Sequence, residues 1–263
     1  MKRSLTGMPI FCNRARLCYT RRMEKNALIA GKDAPDILEF ADALIQTGFR
    51  VAVTGNAGDT EGTQAALIKW NKASAISARS LVIQAETALK TTANTIFYFD
   101  AALFSLLYPS MTAAVCSKVL DELTAGFQYL AIETLNRIQQ HKKSARLVFI
   151  VRNCLLPKDA VFSSLKDDAA GTASPPVAAA QAAFTAFAEN IAALIAQNGT
   201  AHVLLVSVEH QNAAMSTDAS LALWLSEYLN ALDSAKTRQN AKTSCTWIKA
   251  GAKMPGTFSL FRL

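Results

Sequence analysis

Between Asn26 and Asn56 the apolar positions change period twice, as they would along a strand, a helix and a second strand. Ala27 to Ala30 is a short continuous apolar run closed by Gly31, the pattern of a parallel strand buried on both faces. Ile37, Phe40, Ala41, Leu44 and Ile45 recur at i, i+3, i+4, i+7 and i+8, which predicts a helix with one apolar stripe, stopped by Gly48. Val51 to Thr54 then repeats the buried-strand pattern.

Further along, Glu61 to Ala73 reads as a surface helix with Ala65, Leu67, Ile68 and Trp70 inward, and Ser80 to Gln84 as the third strand. Thr95 to Phe99 is the fourth strand, followed by a long, apolar helix from Met111 to Gln140. Arg146 to Val151 is the fifth strand. Asn153 to Pro176, rich in turn-formers and small polar residues, reads as a loop. A helix opens at Val177, the sixth strand is His202 to Val208, and Leu221, Trp224, Leu225, Tyr228, Leu229 and Leu232 mark a helix over Thr217 to Leu232, with Ser216, Thr217 or Asp218 as its cap. Cys245 to Ala250 is the seventh strand, with Gly251 after it. This alternation predicts an α/β fold, a single-domain doubly wound parallel sheet of about seven strands with helices on both faces.

With 263 residues, about half of them hydrophobic, the chain can bury a large core as one domain, assigned here to residues 23–263. No apolar run of about 18 uncharged residues predicts a membrane span. The net charge of +7 comes almost wholly from Lys2, Arg3, Arg14, Arg16, Arg21 and Arg22, with no acid among them, so the body is nearly neutral and no nucleic-acid groove is expected. Residues 1–22 read as a basic extension, either an untranslated stretch ahead of a true start at Met23 or an Arg-rich leader. Cys12, Cys18, Cys116, Cys154 and Cys245 show no paired spacing, and His141, His202 and His210 show no ligand spacing. No metal is expected, and a reducing cytoplasm is.

On the turn residues that follow the first strand, the chain resembles the short-chain dehydrogenase/reductase family, whose turn reads TGxxxGxG. Ala30 and Gly31 take the first two places, while Pro35 and Ile37 stand where the other glycines belong. The resemblance runs from Asn26 to about Phe258. It implies a dinucleotide cleft, in which Gly31, Lys32 and Asn56 are the weak candidates for cofactor contact, Lys32 being read more readily as a solvated turn lysine, and Glu86 lies near the adenine. Tyr98 to Ala101 replaces the family's Asn-Asn-Ala-Gly passage, and Val208 and Glu209 its Pro-Gly. The family's catalytic Asn, Ser, Tyr and Lys fall on Glu122, Arg152, Val177 and Gln181. Valine has no proton to give a carbonyl oxygen, and glutamine cannot lower a phenol's pKa.

The reading that follows is a catalytically inactive, dehydrogenase-like scaffold that binds a protein or a small ligand, with no cofactor expected. The alternative is a divergent NAD(P)-dependent oxidoreductase acting on a carbonyl or alcohol, with Glu122 or Asp100 as its carboxylate. A bridge between Glu122 and Arg152 across the vacated site is expected. The resemblance also implies a homo-oligomer, formed through the helix over residues 178–196.

Overall fold

The computed structural model describes residues 24–56, 62–141, 145–154, 173–198, 201–209, 212–234 and 246–255. The expectations for residues 1–23, His210, Cys245 and most of the 153–176 loop lie outside these residues.

Seven parallel strands form one sheet in the order β3-β2-β1-β4-β5-β6-β7. They are β1 (Asn26–Ala30), β2 (Arg50–Thr54), β3 (Ala66–Ile68), β4 (Asn94–Asp100), β5 (Arg146–Arg152), β6 (His202–Val208) and β7 (Ile248–Lys249). The helices are α1 (Leu38–Gln46), α2 (Ala75–Leu89), α3 (Ala101–Leu107), α4 (Ala113–Val119), α5 (Gly126–His141), α6 (Pro175–Asn198) and α7 (Asp218–Ser234). This is a Rossmann-like α/β architecture, and the order of strands reverses between β1 and β4.

The period of two along each strand builds two cores. Leu28, Ala30, Phe97, Phe99, Leu147, Phe149 and Val151 face one layer with α2, α5 and α6. Ala27, Ile29, Val51, Val53, Ile96, Tyr98, Val148 and Ile150 face the other, with α1 and α7. In the first layer Phe184 of α6 fits among Phe99, Phe127 and Phe149, with ring centroids 4.9–5.8 Å away. Such aromatic contacts add to the area they bury.

Two elements differ from the sequence reading. Ser80 to Gln84 is not a strand: it lies inside α2, whose buried residues Ala78, Leu81, Val82, Ala85 and Leu89 follow helical spacing and whose cap is the Ser74 side chain accepting from Ser77 N–H. A short apolar run such as SLVIQ fits a buried strand or a helix equally, and here the flanking turns decide. The third strand falls instead within the expected 61–73 helix, as the three residues Ala66–Ile68 paired with β2. Three residues are too few for a period to show.

The expected 111–140 helix is broken in pitch rather than in course. α4 runs into a π-helical turn, Leu120–Ala125, and then into α5, so Glu122 sits in the widened turn. A separate short helix, α3, starts directly from β4, its first turn capped by the Asp100 carboxylate, which accepts from Leu103 N–H at 3.1 Å.

α6 buries Val177, Ala180, Phe184, Ala188, Ala192 and Ile195 on the sheet. Its outer face carries Ala179, Ala182, Ala186 and Asn190, with Leu194 half exposed. Among the described residues its stretch Pro175–Gln197 alone is long and apolar enough to cross a membrane by length and composition, although its buried stripe packs on β5 and β6.

Candidate functional site

In an open parallel sheet the crevice for a ligand lies beyond the carboxyl ends of the strands, where the strand order reverses. Here a network of side chains lies at that place. Lys32 follows β1, Tyr98 and Asp100 end β4, Arg152 ends β5, and Asp218 opens α7.

Asp218 is the hub. Its Oδ2 accepts from Lys32 Nζ at 2.7 Å, and its Oδ1 accepts from Tyr98 Oη at 2.7 Å and from Arg152 Nη2 at 2.8 Å. Lys32 also donates to Asp100 at 3.1 Å, and its ammonium lies 5.5 Å from the Tyr98 ring centroid. Arg152 Nε donates to Tyr98 Oη at 2.9 Å, and Nη1 donates to the carbonyls of Met215 and Ser216. Two cations face two carboxylates, so the network is formally neutral. All four charged side chains are at most 15% exposed, which makes these pairs far stronger per contact than surface salt bridges.

Burial and these partners shift three of the groups. Burial alone would lower the Lys32 pKa, but Asp100 and Asp218 more than reverse this and raise it. Burial would likewise lower that of Arg152, and Tyr98, Asp218 and Asp100 reverse it. For Tyr98, burial and then the Asp218 carboxylate push the phenol well above its ordinary value, against the pull of Arg152.

The turn between β1 and α1 is closed on itself. Ala34 N–H donates to the Thr54 carbonyl, Ile37 N–H to the Asp33 carbonyl and Leu38 N–H to the Pro35 carbonyl. Ile37, at the N-terminal end of α1, offers no side-chain cap and is fully buried. Asp33 puts a carboxylate in this turn, held by the Thr54 hydroxyl and by Lys72 at 2.6 Å. Lys72 also donates to the Gly31 carbonyl at 2.7 Å and lies over the rings of Trp70 and Phe104.

Gly31 is required both by its backbone conformation and by packing. It has φ of +116°, and a Cβ there would meet the Tyr98 carbonyl oxygen at 2.4 Å and the Phe127 ring at 2.6 Å.

The remaining candidates are scattered. Glu122 does not meet Arg152: its carboxylate accepts from Tyr108 Oη at 2.5 Å and lies 3.8 Å from Lys118, so the expected bridge is absent. Glu86 is not part of the network at the strand reversal but sits on α2, paired with Arg137 of α5. Val177 is fully buried beneath the first turns of α6. Gln181 donates from Nε2 to Asn153 at 2.7 Å, and its Oε1 is buried without a hydrogen-bond partner. Asn56 is exposed just beyond β2. Lys32 is a buried member of the network rather than a solvated turn lysine.

Sequence reasoning missed the hub. Asp218 is one of three candidate caps for α7, but Thr217 takes that part, accepting from Ser220 N–H at 3.1 Å, which frees the Asp218 carboxylate to turn into the crevice. Among the described residues no group of acids, histidines and cysteines could hold a metal ion.

Strand order, layering and the position of this crevice define the fold of the short-chain dehydrogenase/reductases. Solved structures with that fold include an NADH-dependent reductase A1-R' complexed with NAD, at 11% identity and a TM-score of 0.59 over 88% of this chain and 96% of that one. Another is a short chain dehydrogenase from Leptospira borgpetersenii serovar Hardjo-bovis with bound NAD+, at 12% identity and a TM-score of 0.58 over 94% of this chain and 98% of that one. No protein-family model and no curated protein matches the chain. At these identities the likeness is one of fold.

Proposed function

We propose that this chain uses the dehydrogenase fold as a scaffold that binds a protein or a small ligand, without transferring hydride. One observation carries the reading: the crevice at the strand reversal is occupied by the neutral network of Lys32, Arg152, Asp100 and Asp218. A dinucleotide pyrophosphate needs free N–H groups at the helix start and cations with charge to spare. In this turn three N–H groups donate to the protein's own carbonyls, Pro35 has none, and Asp33 holds the nearby Lys72 ammonium in an ion pair. Lys32 is already matched by two carboxylates. The residues present do not fit a dinucleotide.

The motif places support the same reading. Glu122, Arg152, Val177 and Gln181 supply neither the phenol nor the lysine with which the family delivers a proton to a carbonyl oxygen. Tyr98 is no substitute, because a phenol whose pKa is pushed well up and whose proton already goes to Asp218 is a weaker acid than an ordinary tyrosine. Cys116 and Cys154 are free thiols, which suits a reducing compartment such as the cytoplasm. The outer face of α6, flat with Ala179, Ala182 and Ala186 and ending at Leu194, is the surface through which a homo-oligomer would form.

The alternative, a divergent NAD(P)-dependent oxidoreductase, is favoured by the NAD bound in both structures of similar fold. Consumption of NADH and NADPH over a panel of aldehydes and ketones separates the two. The scaffold reading expects no rate above that without protein; protein-dependent turnover with either cofactor overturns it.

A further inference from the structure

We draw no further inference here: the strongest candidate, the exposed apolar patch of Leu106 and Leu107 at the end of α3, Met111 in the turn that follows and Leu120 just after α4, carries none because nothing in the structure shows what covers it.

Discussion

Asp218→Asn removes one negative charge from the centre of the network while keeping the side chain's size. The carboxylate accepts three hydrogen bonds, from Lys32, Tyr98 and Arg152, at 2.7–2.8 Å. After the change Arg152 retains two backbone carbonyls and Asp100 at 3.9 Å, and two largely buried cations share one carboxylate. Breaking a buried pair in this way costs about 3–5 kcal/mol, because the partner's charge is left uncompensated. For a chain of this size each kcal/mol shifts the thermal midpoint by about 2–4 °C, so a fall of about 6–20 °C is expected. Urea unfolding at pH 7 measures the loss, with an unchanged slope showing that only stability moved. Lys32→Met and the Lys32→Met/Asp218→Asn double variant complete the cycle, and a coupling of about 1–3 kcal/mol is expected between residues in one network. A loss below about 1 kcal/mol for Asp218→Asn, or losses that simply add, would refute the reasoning.

Gly31→Ala drives a Cβ into the Tyr98 carbonyl and the Phe127 ring from a φ of +116°, and should cost about 3 kcal/mol or more in urea unfolding; a loss within about 0.5 kcal/mol contradicts this. Burial, then repulsion from Asp100, raises the Cys154 thiol from 9.0 to about 11. A raised pKa contributes stability in full below pH 9, and that contribution is lost as pH rises toward 11, so the urea midpoint should fall over this window and fall less steeply in Cys154→Ala. The His202 imidazole, lowered from 6.5 by burial and by Arg146, works in the other sense: its contribution is present above pH 6.5 and declines as pH falls below it, a decline that His202→Gln should remove. Light scattering at micromolar concentration should give an oligomer and Leu194→Asp, on the exposed face of α6, a monomer; a monomeric unaltered chain contradicts the α6 interface.

Long buried strands were legible because a parallel strand covered on both faces is apolar at every position, and β1, β2, β4, β5 and β6 lie within a residue or two of where that pattern put them. The third strand was not, because three residues carry no period and the neighbouring SLVIQ run satisfies two. The site was legible only as departures from the pattern of the family that the chain resembles. That Pro35, Ile37, Arg152 and Val177 stand where glycines, a serine and a tyrosine are expected can be read along the chain. What replaced them cannot, since Lys32, Tyr98, Arg152 and Asp218 come from four separate elements and are joined only by the sheet. Asp218 was visible as a cap candidate, and nothing local says that Thr217 caps in its stead. Arg152 was assigned Glu122 as its partner on proximity to a common site, whereas Tyr108 holds Glu122 and Asp218 holds Arg152.

The central claim is that the crevice at the strand reversal is closed to a dinucleotide by the protein's own charges. Its most direct test is a titration of the purified chain with NADH and with NADPH, following cofactor fluorescence and the thermal midpoint together. A ligand at 100 times its Kd stabilises the folded state by about 2.7 kcal/mol. For a chain of this length that is a rise in midpoint of about 5–10 °C, well outside error. The account predicts no fluorescence change and no shift up to millimolar cofactor. Saturable micromolar binding of either, with that rise in midpoint, would contradict it.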